Sequence, residues 1–318
     1  MHPLAGPSGA VVDPSFTVTR AGWPRSSGSG AGAVVAAAVL WGSTGTAAWY
    51  APSGVDPVLV GSAGLVLGGA LLAVTAGRGS LQPWRAGHRL LTLTGALAVA
   101  AYPLSFYLAV HRAGIAMGTI VMLGCSPAFA GLLTVLVERR HPGRRWFTAT
   151  VSCVVGGLIL VLGGGGSAVA DPLGLALAAL AGLSYATYSV VAGLLIRRGI
   201  ASRSTIGGLF GGAAALLLAV QLVAGVGWLA EPRSAVVVGW LAVVCTFTAY
   251  LLYGYGLRST SAATATTLAL AEPAVATVLG VTVAGERMST LAWVGLAPLA
   301  AGLVVLALPV RRQSPTAR

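Results

Sequence analysis

Ten runs of about 20 apolar residues fill most of this chain and constrain its fold more than any other feature. A helix of that length crosses the ~30 Å hydrocarbon core of a bilayer. Charged residues make up only 8% of the chain, whereas soluble domains carry about 25%. We therefore predict an all-α membrane protein with ten transmembrane helices. The predicted helices cover residues 31–50, 57–76, 90–110, 115–137, 146–163, 173–195, 205–229, 235–256, 262–284 and 290–308.

Arginines set the predicted orientation, since all 19 Lys and Arg residues of the chain are arginines. Cytoplasmic loops retain such residues. With the N-terminus inside, 16 of the 19 fall in cytoplasmic segments and only Arg112, Arg233 and Arg287 fall outside. We predict a multi-pass protein of the cytoplasmic membrane with both termini in the cytoplasm. Because the arginines lie in short gaps between apolar runs, the net charge of +12 indicates membrane topology rather than a nucleic-acid partner.

The chain also contains an internal duplication. Three residues recur 146 positions later: Tyr107 as Tyr253, Arg112 as Arg258 and Pro127 as Pro273. Each copy holds five predicted helices, and because five is odd, the second copy enters the membrane from the opposite side. The duplication is therefore an inverted repeat, an arrangement that many secondary transporters share. The two copies differ directly before the proline, where the first has Ser126 and the second has Glu272.

Polar breaks give the predicted domain boundaries. We predict a disordered cytoplasmic tail at 1–30, a first repeat at 31–163, a linker at 164–172, a second repeat at 173–308 and a C-terminal tail at 309–318. The N-terminal tail is rich in Gly, Ser and Pro and lacks the apolar core of a signal peptide.

Each copy has a tyrosine-containing segment, a short polar link and then a helix with Ser-Pro or Glu-Pro near its middle. This motif runs from Tyr107 to Glu138 and again from Tyr253 to Glu286, and Trp41-Gly42 precedes it in the first helix. With these residues the chain resembles the bacterial ten-helix EamA branch of the drug/metabolite transporter superfamily, over residues 31 to 308.

The resemblance implies two five-helix bundles around a central cavity, alternating access and, commonly, export of small metabolites, amino acids or drugs. The sixth helix departs from the expected pattern. It has Tyr185 near the place where a second tryptophan, equivalent to Trp41, is expected. This difference argues against a cavity lined symmetrically by two tryptophans.

Glu272 is the main candidate for chemistry, because it lies near the middle of a predicted helix. A charged side chain there costs about 2.5–3.5 kcal/mol, so it must face a cavity, have a partner or be protonated. We expect a proton- or cation-binding group; the alternative is a neutral carboxyl that hydrogen-bonds a neighbouring helix. Pro127 and Pro273 free backbone carbonyls for a solute or simply kink their helices. Ser126 is a candidate because it occupies the Glu272 position of the first copy.

Aromatic side chains are candidates to line the cavity, where they could stack on an apolar or cationic solute. The candidates are Trp41, Tyr102, Tyr185, Tyr188 and Tyr253. Tyr185 and Tyr188 lie three residues apart on one helical face, and so do Tyr250 and Tyr253. The alternatives are ordinary packing and, for Tyr250 and Tyr253, a place at the membrane interface. Trp146 stands at a span end and is predicted to be interfacial.

Two other classes of protein are less well supported. An intramembrane enzyme needs a nucleophile and a base within reach; Ser184 could be a nucleophile, but all four histidines lie outside the predicted spans. A channel or lipid-translocating protein fits ten spans, but no repeated ring of carbonyls or charges predicts a selectivity filter. We predict a secondary transporter without enzymatic activity.

The expected partners are membrane lipids, a small-molecule solute and, as a candidate coupling ion, the proton. The three cysteines lie inside apolar runs without a CxxC pair, so we expect no metal site and no cofactor. Glycines spaced four apart favour packing within one bundle, and both a monomer and a homodimer remain open.

Overall fold

The computed structural model describes residues 28–308, except 53, 86, 140, 164–170, 284 and 286–287. In this part of the chain ten helices are long and apolar enough to cross a membrane, and no β-strand is present. The predicted all-α membrane fold with ten spans is therefore confirmed. The helices are α1 (Ser29–Ala47), α2 (Pro57–Leu81), α3 (Arg89–Ile115), α4 (Met117–Glu138), α5 (Arg144–Gly163), α6 (Pro172–Arg197), α7 (Ser202–Ala224), α8 (Pro232–Gly256), α9 (Ala262–Thr282) and α10 (Thr290–Ala307).

Local capping explains where two of these helices begin. The Asp56 carboxylate accepts a hydrogen bond from the N–H of Val58 at 2.8 Å, and Pro57 occupies the first turn of α2. Asp171 caps α6 in the same way, with Pro172 in the first turn. Pro172, predicted as the end of the linker, therefore belongs to α6.

Two other predicted boundaries differ from those of the helices in the structure. The N-terminal tail was predicted to reach residue 30, but the chain is helical from Gly28. The seventh helix was predicted to reach residue 229, but α7 ends at Ala224, because Gly225 has a φ of 88° that breaks the helix. Residues 1–27, 164–170 and 309–318, predicted as tails and linker, lie outside the described residues.

α6 is the central helix of the bundle. Within its most apolar stretch 67% of the residues are buried, against 28% for α10. It packs along α3 and α4, and an ion pair joins each of its ends to them. Arg197 pairs with Glu138 of α4 at one end, and Asp171 lies 3.8 Å from the Arg112 guanidinium of α3 at the other.

α5 and α10 pack with their backbones in contact. A Cβ on Gly156 would lie 2.4 Å from the backbone nitrogen of Leu299, and a Cβ on Gly302 would lie 2.5 Å from the sulfur of Cys153. Gly156 and Gly302 are 146 residues apart, and so are Cys153 and Leu299. The contact of Gly156 with Leu299 is therefore equivalent by the repeat to the contact of Gly302 with Cys153. Equivalent positions of the two halves of the chain therefore meet along this helix pair, as a two-fold relation requires.

Two spans depart from regular α-helix in their interior. α8 contains a π-helical stretch, Leu241–Thr248. α9 consists of two helical pieces, Ala262–Leu268 and Ala271–Thr282. Irregular backbone at membrane depth is tolerated where protein or a cavity surrounds it, and π-helical turns are frequent at functional sites. α8 and α9 are therefore the first places to look for a site.

Candidate functional site

The break in α9 places Glu272 and Pro273 together near the middle of the span. The N–H of Glu272 donates a hydrogen bond to the Ala269 carbonyl at 2.9 Å, three residues back. Pro273 has no N–H to donate, so the chain tightens here instead of keeping the regular four-residue spacing. Glu272 thus stands in the first turn of the second helical piece, where the partial positive charge of a helix N-terminus stabilises an acidic side chain.

α1 packs directly on this break. A Cβ on Gly42 would lie 2.7 Å from the side chain of Val275 and 3.0 Å from the carbonyl oxygen of Glu272. A larger residue at this position would push the two helices apart. The absence of a side chain on Gly42 therefore lets α1 pack closely on α9.

The carboxyl of Glu272 lies in the neighbourhood of tyrosines from three other helices. The groups within electrostatic range of it are the hydroxyls of Tyr102, Tyr107, Tyr185 and Tyr250 and the thiol of Cys245. Glu272 as a whole residue is only partly buried. Among the residues that the structure describes, the ion pairs are those of Glu138 and Asp171, and Glu272 takes part in none.

Six aromatic side chains from four helices form one cluster next to Glu272, called the aromatic cluster below. Its members are Trp41 of α1, Tyr102 of α3, Tyr185 and Tyr188 of α6, and Tyr250 and Tyr253 of α8. The Trp41 ring centroid lies 5.0 Å from that of Tyr250 and 5.4 Å from that of Tyr253. The Tyr102 and Tyr185 centroids are 6.0 Å apart. These distances are within the range of favourable aromatic pairs, about 4.5–7 Å.

Hydrogen bonds hold the hydroxyl groups of three of the five tyrosines in the aromatic cluster. The hydroxyls of Tyr188 and Tyr250 are 2.9 Å apart, and Tyr253 donates to the hydroxyl of Ser189 at 2.9 Å. The hydroxyl of Tyr185 is buried and has no hydrogen-bond partner of normal geometry among the described residues. A buried hydroxyl without a partner costs about 1–3 kcal/mol. A solute that offered a hydrogen bond here would recover part of that cost.

Trp41 is held by the π-helical stretch of α8. Its indole N–H donates to the carbonyl of Cys245 at 2.9 Å. π-helical spacing changes which N–H each carbonyl receives, which frees acceptors for other groups. Two further bonds extend the contact: Trp240 donates to the Ser43 hydroxyl at 3.0 Å, and Ser43 donates to the Leu40 carbonyl at 2.7 Å. The first half of the chain is thus fixed to the second beside the aromatic cluster.

The structure brings most of the candidate residues together. Those in the aromatic cluster or next to it are Trp41, Tyr102, Tyr185, Tyr188, Tyr253, Glu272 and Pro273. Ser126 and Pro127 instead lie on α4. Gly182 of α6 packs against this part of α4, and a Cβ added to Gly182 would lie 3.3 Å from the backbone nitrogen of Ser126. The Ser126 hydroxyl donates a hydrogen bond to the Met122 carbonyl at 2.6 Å, which lies one turn earlier in the same helix.

Two locations were predicted for Tyr250 and Tyr253, the cavity and the membrane interface. Tyr253 is 0% exposed and Tyr250 is 8% exposed, so both side chains face the protein interior. The spacing of three residues between them was the available signal. Trp146, predicted to be interfacial, is partly buried at the start of α5, where its indole N–H donates to the Ala263 carbonyl at 2.9 Å and its ring packs on Gly131.

An acid beside electron-rich rings and hydroxyls can take up a proton or a cation. Within the described ranges, no group of three or more His, Cys, Asp and Glu side chains is placed to hold a metal ion. The chemistry that the acid and the rings offer is reversible binding of a proton or a cation.

A model of the EamA-like transporter family matches residues 28–162 and again residues 172–308. The chain is 32% identical over 283 residues to the Uncharacterized transporter YwfM of Bacillus subtilis (strain 168), an alignment that covers 88% of this chain and 94% of that protein. One solved structure, described only as a crystal structure of a protein, has the same fold, with a TM-score of 0.74 and 19% sequence identity. The match covers 87% of this chain and 97% of that chain. Since the family model matches once over each set of five helices, the chain belongs to the EamA-like transporter family and is a multi-pass membrane transporter.

Proposed function

We propose that this protein is a secondary carrier that exports a small metabolite, amino acid or drug-like solute across the cytoplasmic membrane by alternating access. The observation that carries the proposal is the position of Glu272 at the break of α9, in the neighbourhood of tyrosines of α3, α6 and α8. An ionisable residue at membrane depth is costly and is usually retained for transport or coupling. Glu272 is the group that binds a proton or a cation in this cycle.

The location of the aromatic cluster supports alternating access. Trp41 and Tyr102 come from the first five helices, whereas Tyr185 and Tyr250 come from the second five. If one set of five helices tilted against the other, the rings would move apart toward one side of the membrane. The opposite tilt would open them toward the other side. Substrate sites at the interface of inverted repeats, with broken helices beside them, are a common arrangement in secondary transporters.

Counterflow in proteoliposomes tests the carrier function. Liposomes loaded with an unlabelled solute are diluted into the same solute in radiolabelled form, for a panel of amino acids and cationic and neutral drug-like compounds. A carrier gives transient accumulation of label for its solute, because unlabelled solute returns the site to the outside. Uptake that never exceeds equilibrium for any solute would contradict the carrier proposal, and simple equilibration would indicate a channel.

Orientation is proposed from the arginine distribution, with both termini in the cytoplasm. Gly143 lies between α4 and α5, and Gly227 lies between α7 and α8; an added Cβ meets nothing within 4 Å at either. We expect Gly227→Cys to react with a membrane-impermeant maleimide in intact cells and Gly143→Cys to react only after lysis. The parent protein, with its own three cysteines, gives the background. The reverse labelling pattern would overturn the orientation.

A further inference from the structure

The centre of the bundle has an acidic group without a basic counterpart. In the described part of the chain, the Arg and His side chains belong to connections or lie near the ends of helices. Asp56 and Asp171 cap helix ends, and Glu138 pairs with Arg197 at the end of α4. Glu272 is the acid that lies beside the aromatic cluster, so any charge that balances its ionised form must come from outside the protein.

We propose that the transported solute is an organic ammonium ion with apolar substituents, bound between the carboxylate of Glu272 and the rings of the aromatic cluster. This inference rests on the carrier function proposed above and specifies the solute of the same site. Ring faces carry negative potential and attract cations within about 6 Å of the centroid, with Trp the strongest and Tyr next. The aromatic cluster offers one Trp and five Tyr rings beside the acid.

The ring geometry suits a solute of this kind. Trp41 approaches Tyr250 at 5.0 Å with the ring planes inclined by 54°, and it meets Tyr185 edge-on at 6.4 Å and 89°. Rings inclined in this way present faces in several directions, whereas stacked rings cover each other. An ammonium group that entered between them would exchange ring–ring contacts for ring–cation contacts. Its alkyl or aryl substituents would remain in an apolar, largely buried setting.

The acid beside the aromatic cluster also disfavours an anionic solute. A carboxylate would approach Glu272 and meet repulsion between like charges, and no described Arg or His lies near enough to offset it. The buried hydroxyl of Tyr185 has no hydrogen-bond partner of normal geometry in the described part of the chain, and it is the group available to a hydroxyl or ether oxygen on the solute. An amine with such an oxygen would satisfy both groups together.

Binding to the purified protein in detergent micelles, measured by isothermal titration calorimetry, tests the proposal. Choline is compared with 3,3-dimethylbutan-1-ol, which has the same shape but a carbon in place of the charged nitrogen. Benzyltrimethylammonium is compared with benzoate, an aromatic anion. We expect each cation to bind about tenfold or more tightly than its counterpart. We expect Glu272→Gln to lose that preference and Glu231→Gln, which changes an exposed acid before α8, to keep it.

The result that overturns the proposal is equal or tighter binding of the neutral alcohol or benzoate, absence of binding by both cations, or an unchanged preference in Glu272→Gln. The counterflow panel distinguishes this failure from failure of the carrier function. Counterflow of a neutral or anionic solute would leave the carrier function standing and remove the cation assignment. Heat unfolding of each variant, followed by tryptophan fluorescence, shows that a lost preference does not come from lost folding.

Discussion

Replacing Glu272 by glutamine is expected to remove the pH dependence of transport and to slow transport at sub-saturating solute by about tenfold or more, which corresponds to about 1.4 kcal/mol. Glutamine has nearly the same shape and can still form hydrogen bonds, but it cannot exchange a proton or balance a positive charge. The measurement is the initial rate of labelled-solute uptake into proteoliposomes between pH 5.5 and 8.5, with a solute that gives counterflow.

The chain offers a matched control for this variant. Glu231→Gln makes the same chemical change at an exposed acid in the connection before α8, where the side chain forms no capping hydrogen bond. It should retain the parent rate and pH profile. Both variants should elute as the parent does in size-exclusion chromatography. An unchanged rate and pH profile in Glu272→Gln would contradict a role for the carboxyl in transport.

Replacing Gly156 by alanine is expected to destabilise the protein by about 1–3 kcal/mol, the usual cost of overpacking. The added Cβ would lie 2.4 Å from the backbone nitrogen of Leu299 and 2.7 Å from the Gly295 carbonyl oxygen. Backbone atoms cannot rotate away as a flexible side chain can, so α5 and α10 must separate. A lower unfolding midpoint in an SDS titration, followed by tryptophan fluorescence, measures the effect.

The next residue is the control for this prediction. A Cβ on Gly157 would meet only the side-chain Cδ1 of Leu299, at 3.8 Å, which is ordinary van der Waals contact. Gly157→Ala should be neutral, or stabilising by up to about 1 kcal/mol, since alanine favours helix more than glycine does. Gly302→Ala, the equivalent of Gly156→Ala, should be costly as well. Equal midpoints for Gly156→Ala and Gly157→Ala would refute the close backbone packing of α5 and α10.

Hydropathy was sufficient to find all ten spans, because a bilayer imposes the length and apolarity of each helix separately. The start of α2 was predicted to the residue, since Asp56 and Pro57 act locally. The end of α7 was missed because apolar residues continue beyond it, while Gly225 adopts a positive φ that hydropathy does not reveal. The π-helical stretch of α8 was not predicted either, since it depends on how α8 packs.

The candidate site was predicted in part. Glu272 was found because an acid in an apolar run is conspicuous, and its neighbour Pro273 marked the break of α9. Ser126 was proposed from the repeat alone, yet its hydroxyl is hydrogen-bonded to Met122 within α4. The offset of 146 residues relates positions in the chain, whereas hydrogen-bond partners depend on which helices pack around each position.

The sequence by itself determined the membrane class, the ten spans, the duplication and the one acid at mid-span. Each of these depends on composition and local pattern, because the bilayer constrains the length and apolarity of each helix independently of distant residues. Only the tertiary structure decided that Trp41 is held by the Cys245 carbonyl and that Tyr250 lies in the interior with Tyr188. Those contacts join residues 204 and 62 positions apart, and side-chain packing between helices, rather than any local preference, brings them together.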